Sequence, residues 1–180
     1  LIVGGGPHGV HAATRLIAQA RVDPATVGIV DPEPTLLARW HRCTAATGMR
    51  HLRSPAVHHL DVDPFSLLRF AGRSRFERRQ HFAPPYDRPS LALFNAHSEA
   101  LVDSLGLADL HVRARAERCS VTSHGVEVHT TAGTWNARHV VLALGTADAL
   151  AWPAWATGQR VSHLFAPDFD AATMTYGARV

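Results

Sequence analysis

The first thirty residues combine short apolar runs with one stretch of helical periodicity. Leu1, Ile2 and Val3 have the composition of the end of a buried strand. Apolar residues then recur three and four positions apart, which predicts a helix over about 7–20, and Pro7 suits its first turn because a proline there lacks only an N–H that would be unpaired anyway. A second apolar run, 27–30, ends at Asp31. The order strand, helix, strand predicts a βαβ unit.

Farther along, the pattern predicts two more helices and then a set of short strands. A short helix follows Asp63 and ends near Gly72, and a longer one begins at Ser90 and ends at Gly106. From His111 onward the apolar period changes to two. Antiparallel strands are expected over 112–116, 119–123, 126–131 and 134–136, with turns at 124–125 and 132–133. The run 140–146 predicts one more buried strand, which opens into a turn at Gly145.

The glycines between the first strand and the first helix fit the pattern G-x-G-x-x-G. We expect Gly4 to permit the tight turn, Gly6 to let the backbone approach a pyrophosphate, and Gly9 to let helix and strand pack closely. An anion there would face free N–H groups at the positive end of the helix dipole. An ordinary glycine-rich turn between a strand and a helix would have a similar sequence.

Asp31 makes the pattern more specific. It lies 22 residues after Gly9, close to the spacing of about 20 at which a carboxylate accepts hydrogen bonds from the ribose of a dinucleotide. The alternative is that Asp31 caps a helix that begins near Thr35.

Composition and charge narrow the possibilities. The chain has 180 residues, 46% of them hydrophobic, which suits one globular domain or part of a larger protein. The formal charge of +3 comes from a chain without lysine, so the arginines at 69, 73, 75, 78 and 79 are interpreted as a solvated loop and not as a nucleic-acid site. His58 and His59, with Asp61 and Asp63, lack the ligand spacing of a metal site. We predict neither a nucleic-acid partner nor a metal.

The chain has no membrane or secretion signal of the usual kind. No apolar run approaches the length of about 18 residues of a membrane helix, and no signal-peptide pattern is present. We therefore expect a cytoplasmic protein without a membrane partner. Because the sequence lacks an initiator methionine and begins and ends within strand patterns, we also expect it to be a fragment of a longer protein.

The combined motifs resemble the FAD-binding half of the flavin-containing monooxygenases and, within that superfamily, the lysine/ornithine N-hydroxylase-like group. The resemblance lies in LIVGGGPHG at the start, Asp31, the ARW segment, GMRHLRSP, DPFSLL, and VVLALGT before Trp152-Pro153. It implies an α/β fold: a Rossmann-like, three-layer FAD/NAD(P)-binding domain with a parallel sheet and a small antiparallel β-meander.

The resemblance also assigns cofactor contacts. It implies that the FAD pyrophosphate lies among Gly4, Gly6, Pro7, His8 and Gly9. Asp31 would hold the adenosine ribose, and Trp40 would lie beside the cofactor. Leu52, Arg53 and Ser54 would be near the isoalloxazine, and Gly145 and Thr146 would pass close to the flavin. A core position for Trp40 and an ordinary surface ion pair for Arg53 are the competing interpretations.

On this interpretation residues 1–180 form one FAD-binding domain. It has a helical insertion over about 60–106, a β-meander over about 110–136, and a link over about 150–180 toward a separate NADPH domain. The second glycine motif of that family is not in this sequence, so the NADPH site would lie outside the chain.

The resemblance implies an FAD-dependent oxidoreductase, a monooxygenase that uses NADPH to hydroxylate a small molecule through a flavin hydroperoxide. No catalytic residue is assigned, because the cofactor performs the chemistry. The alternatives are a non-catalytic FAD/NAD-binding sensor module, a pyridine-nucleotide-disulfide-type electron-transfer flavoprotein, and a one-domain NAD enzyme. The lack of any C-x-x-C argues against the disulfide type, and the meander argues against the one-domain enzyme.

Overall fold

The computed structural model describes residues 1–72, 74, 79–145, 150–156, 161–166 and 169. The predicted α/β fold is confirmed. A four-stranded parallel sheet carries helices, and a three-stranded antiparallel sheet is inserted along the chain before the last strand of the parallel sheet. Thr146 and much of the predicted link lie outside the described residues.

The parallel sheet is built from four short strands. They are β1 (Ile2–Val3), β2 (Ile29–Asp31), β5 (His111–Arg113) and β9 (Val141–Leu142), in the order β5-β2-β1-β9. Ile2 pairs with Ile29 on one side and with Val141 on the other. This order places the first strand at the centre, as in the first half of a Rossmann fold.

Helix α1 (Pro7–Thr14) follows β1 and continues as a π-helical turn over Arg15–Gln19, close to the predicted range 7–20. Gly6 is its N-cap and Pro7 occupies the first turn, as predicted. The buried side of α1, with Val10 and Ala13, contributes to the main core, which also includes Ile2, Ile29, Leu36, Leu37, Leu52, Leu60, Phe94, Leu101 and Leu107.

Further α-helices lie between β2 and β5 along the chain. Helix α2 is Ala38–Ala46, α3 is Ser66–Phe70, and α4 is Leu91–Ser104. For α4 the prediction is confirmed, since the Ser90 hydroxyl accepts a hydrogen bond from the Leu93 N–H at 3.2 Å. Strands β3 (Phe82–Ala83) and β4 (Arg88–Pro89) form a small antiparallel pair before α4.

The antiparallel sheet comprises β6 (Ala116–Thr122), β7 (Gly125–Thr130) and β8 (Gly133–Ala137). Both predicted turns are present, and the three strands form the predicted meander. The expected antiparallel strand 112–116 is wrong. Residues 111–113 instead pair in parallel with β2, with Val112 opposite Val30. A period of two predicts a strand but does not specify its partner or its direction.

The predicted buried strand over 140–146 is shorter and more exposed than expected. Of the described residues in this run, only Val141–Leu142 form a strand, and these side chains are 41% and 61% exposed. An uninterrupted apolar run is typical of a strand covered on both faces, but its burial depends on which elements pack against it. Within the described ranges, no helix is both long enough and apolar enough to cross a membrane.

The close approach of α1 to the preceding turn gives a first prediction. A Cβ on Gly9 would lie 1.8 Å from the Gly4 carbonyl oxygen, so Gly9→Ala must displace the helix or the turn. We expect this substitution to lower the free energy of unfolding by about 1–3 kcal/mol, measured by urea denaturation of the full-length protein.

The matched control is Gly6→Ala. Gly6 has φ −75° and ψ −173°, an extended conformation open to any residue, and a Cβ there would meet no atom of the described residues within 4 Å. Gly6→Ala should therefore cost less stability than Gly9→Ala, since its expected cost is only that of alanine in place of glycine at an N-cap. Equal stability of both variants would contradict the packing role of Gly9.

Candidate functional site

The candidate site lies where β1 and β2 end and α1 begins. The Gly4 N–H donates to the Val30 carbonyl at 2.8 Å, so the first residue of the turn is still hydrogen-bonded to β2. Gly4 has φ +111°, which favours glycine, and a Cβ there would lie 2.3 Å from the Ala143 carbonyl oxygen. The turn is thus packed between β2 and the end of β9 with no room for a side chain at Gly4.

The first turn of α1 leaves backbone donors open. The Val10 N–H donates to the Gly6 carbonyl at 3.0 Å, which closes the first helical turn. In the part of the chain that the structure describes, no acceptor faces the N–H groups of Gly6, His8 or Gly9. Free N–H groups and the helix dipole together favour an anion at this position.

Asp31 holds the turn through its side chain. Its Oδ2 accepts a hydrogen bond from the Gly5 N–H at 2.6 Å, and its Oδ1 accepts one from the Glu33 N–H at 2.8 Å. Each oxygen retains a second lone pair for a further donor. The alternative that Asp31 caps the next helix is wrong, since α2 begins at Ala38 and has Leu37 as its N-cap without a side-chain bond.

The segment that follows Asp31 wraps around Gly5. The Leu37 N–H donates to the Gly5 carbonyl at 2.9 Å. A Cβ on Gly5 would lie 2.9 Å from Leu36 Cδ2 and 3.1 Å from the Cβ of Asp31. The middle residue of the first G-x-G is therefore enclosed by residues 31–37, a contact that the motif pattern does not specify.

Trp40 packs within the protein. Its ring lies 5.4 Å from that of Phe94, and its Nε1–H donates to Asn95 Oδ1 at 2.9 Å. This arrangement agrees with the interpretation of Trp40 as a core residue. A contact between Trp40 and the cofactor remains a prediction.

The three residues assigned to the isoalloxazine have different environments. Leu52 is buried in the main core, and its N–H donates to the Pro89 carbonyl at 2.9 Å. Arg53 is exposed, whereas Ser54 is half-buried. Among the residues that the structure describes, Arg53 has no ion-pair partner. Their roles at the flavin remain predictions.

The returning strand brings two more residues to this end of the sheet. The Ala143 N–H donates to the Val3 carbonyl at 2.8 Å, next to the contact between Ala143 and Gly4. Gly145 has φ +62°, as a glycine turn requires. Its predicted neighbour at the flavin, Thr146, lies outside the described residues.

Glu33 and Arg42 form an ion pair near Asp31, and neither residue is among the predicted site residues. Arg42 on α2 donates to both carboxylate oxygens of Glu33, at 2.9 and 2.5 Å. A separation of nine residues across a turn gives no periodic signal. The only feature of the sequence that points to this pair is Glu33, an acidic residue two positions after Asp31.

Comparison with known proteins identifies the family. Residues 1–147 match the model of the FAD-NAD(P)-binding family. The chain belongs to this family. No curated protein sequence matches it.

Solved structures of cyclohexanone monooxygenase share the fold of this FAD-NAD(P)-binding chain. Cyclohexanone monooxygenase from Rhodococcus sp. Phi1 bound to NADP⁺ is 20% identical, with a TM-score of 0.52, over 84% of this chain and 26% of that one. Cyclohexanone monooxygenase bound to ε-caprolactone is 19% identical, with a TM-score of 0.51, over 85% and 28%. A flavin-containing monooxygenase from Stenotrophomonas maltophilia is 20% identical, with a TM-score of 0.49, over 79% and 36%. The chain therefore spans about a quarter to a third of their length.

The adjacent histidines His58 and His59 lie in different surroundings. His58 is exposed, whereas His59 is buried with its ring 5.1 Å from that of His97 on α4. The Ser66 hydroxyl lies 3.0 Å from His97 Nε2. No group of three or more His, Cys, Asp or Glu residues that could hold a metal ion is found in the described part of the chain.

The burial of His97 gives a prediction about pH. Burial, together with the neighbouring His59, lowers the pKa of His97 from its ordinary value of 6.5 to about 4. Between these values the unfolded chain binds a proton that the folded chain does not, so the free energy of unfolding should fall as the pH falls from 6.5 toward 4. The slope from this residue should be at most about 1.4 kcal/mol per pH unit.

Urea denaturation at several pH values measures this slope. His97→Gln keeps a polar group toward Ser66 but cannot titrate, so it should flatten the dependence. His124→Gln, at an exposed histidine in the turn between β6 and β7, is the matched control and should leave it unchanged. An equal slope in the parent and in His97→Gln would show that the histidine does not carry the effect.

Proposed function

We propose that this chain is the FAD-binding part of an NADPH-dependent monooxygenase that hydroxylates a small molecule. The observation that carries the proposal is the arrangement at the end of β1 and β2. The open first turn of α1 and the Asp31 carboxylate lie at the same edge of the parallel sheet, joined by the hydrogen bond from Gly5. This edge, outside the carboxyl ends of the strands, is where α/β proteins bind dinucleotides.

The residues present fit such a cofactor. A Cβ on Gly6 would meet no atom of the described residues within 4 Å, which leaves space there beside the N–H groups of His8 and Gly9. These donors would hold the diphosphate, and the free lone pairs of Asp31 would accept the ribose hydroxyls. FAD would supply the redox and oxygen chemistry, while residues of this chain bind and orient it and exclude water.

Membership of the FAD-NAD(P)-binding family supports the oxidoreductase class. The choice of a monooxygenase rests on the motifs given above, and the likeness to cyclohexanone monooxygenase agrees with it at the level of the fold. We further propose that the NADPH site lies outside these residues, that the substrate is a small molecule, and that the protein is cytoplasmic.

The direct test is the visible spectrum of the full-length protein. It should be yellow or take up FAD, lose its flavin absorbance when NADPH is added without oxygen, and consume oxygen when air is admitted. A colourless protein that takes up no FAD would overturn the proposal. Bound FAD that NADPH leaves oxidised would favour the sensor module, and reduction without oxygen consumption would favour an electron-transfer flavoprotein.

Substitutions in the turn test the assignment of the site. In the full-length protein Gly6→Ala places a methyl group where the diphosphate would lie, so FAD affinity should fall at least tenfold while most of the stability is retained. Asp31→Ala removes the ribose acceptor and the partner of the Gly5 N–H, so affinity should fall by about 1–3 kcal/mol and stability should also fall.

Flavin fluorescence titration measures both affinities, and urea denaturation of the FAD-free protein measures stability. Gly133→Ala is unsuitable as a control, because Gly133 has φ +120° and any side chain there is strained. Ala92→Ser, at an exposed position on α4, provides the control and should bind FAD normally. Normal binding by both Gly6→Ala and Asp31→Ala would place the cofactor elsewhere.

A further inference from the structure

The ion pair between Glu33 and Arg42 lies beside the carboxylate that the proposed function assigns to the ribose. We propose that Arg42 is a positioning residue for the adenosine end of the nucleotide site, and that it acts through Glu33 on Asp31 and the Gly5 turn. The inference rests on the proposed FAD site. It adds Arg42, which belongs neither to the glycine motif nor to the end of β2, to the residues of that site.

The geometry of the pair is a two-point contact. The Nη1 and Nη2 atoms of Arg42 each donate to a different carboxylate oxygen of Glu33. The Glu33 side chain is 20% exposed and that of Arg42 is 47% exposed. A planar guanidinium bound to both oxygens of a carboxylate restricts orientation as well as distance. Arg42 therefore fixes where the Glu33 side chain lies relative to α2.

Glu33 is in turn connected to Asp31. The Glu33 N–H is one of the two donors that orient the Asp31 carboxylate, and the Gly5 N–H is the other. Movement of Glu33 would remove one donor and let the carboxylate rotate about the remaining bond. The direction of the lone pairs available to a ribose thus depends on the position of Glu33.

The backbone around Glu33 is stiff, so a constraint on Glu33 also restricts the residues next to it. Pro32 and Pro34 flank Glu33, which fixes φ at both prolines and disfavours helical backbone at Glu33 itself. The same segment ends at Leu37, whose N–H binds the Gly5 carbonyl. Residues 31–37 therefore bind both the N–H and the carbonyl of Gly5. The ion pair of Arg42 with Glu33 connects this segment to α2.

The test is a double-substitution cycle in the full-length protein. Arg42→Gln and Glu33→Gln should each weaken FAD binding about threefold to tenfold, measured by flavin fluorescence titration. The double variant should be no weaker than either single variant, since both remove the same contact. Thermal unfolding of the FAD-free proteins should give similar Tm values for all four.

The matched control is another exposed ion pair, in which Arg69 on α3 donates to Asp63. Arg69→Gln removes a guanidinium of the same kind, which in the described residues has no hydrogen bond or ion pair with residues 31–37, so FAD affinity should be retained. Equal weakening by Arg69→Gln and Arg42→Gln would overturn the inference, because it would indicate a general effect of charge.

The sign of the Glu33→Gln effect separates positioning from direct attraction. If Arg42 acted on the anionic cofactor only through its charge, Glu33→Gln would strengthen FAD binding, because it removes a negative charge. That result would overturn the inference. Additive effects of the two substitutions on FAD affinity would overturn it as well. A loss of affinity accompanied by an equivalent loss of Tm would also overturn it. If the parent protein takes up no FAD, the proposed function itself fails. Normal FAD binding by both the parent and Arg42→Gln overturns the positioning role alone.

Discussion

The hydrogen bond from the Gly5 N–H to the Asp31 carboxylate joins two parts of the chain on which the site depends. On one side it holds the turn between β1 and α1, and on the other it holds the end of β2. Parallel pairing of Ile2 with Ile29 and of Val3 with Val30 brings these two strand ends to the same edge. The side-chain bond then sets the shape of the turn beyond the last backbone pair. A carboxylate at this position therefore organises the protein as well as offering an acceptor to a ligand.

Features encoded within a few residues were predictable from the sequence. Gly4, Gly6, Pro7 and Gly9 specify a turn and a helix start because each conformational requirement is local, and Ser90 specifies the start of α4 in the same way. The spacing between Gly9 and Asp31 placed the acid at the correct strand end. Its bond to the Gly5 N–H could not be predicted, since a spacing gives the neighbourhood of a side chain but not its partner.

Features set by distant parts of the chain were not predictable in this way. Residues 111–113 have the alternation of a strand, and only the position of β2 decides that they pair in parallel with it. The apolar run at Val141 and Leu142 indicates a strand, whereas its exposure depends on what packs against it. The late start of α2 at Ala38 follows from Leu37, which has φ 64° while its N–H binds Gly5. In each case a tertiary contact overrides a local preference.

The glycines of the first turn differ in what surrounds them, and this difference explains how a closely packed turn can still be open to a ligand. At Gly4, Gly5 and Gly9 a Cβ would meet protein atoms within 3 Å, so the backbone is enclosed by β9, by residues 31–37 and by the turn itself. At Gly6 a Cβ would meet no atom within 4 Å in the part of the chain that the structure describes. The three enclosed positions restrict the turn, while the N–H groups of Gly6, His8 and Gly9 at the N-terminus of α1 have no acceptor among the described residues. Rigid donors beside an open space lower the entropic cost of ordering the site around an anion, because the donors are already held in place.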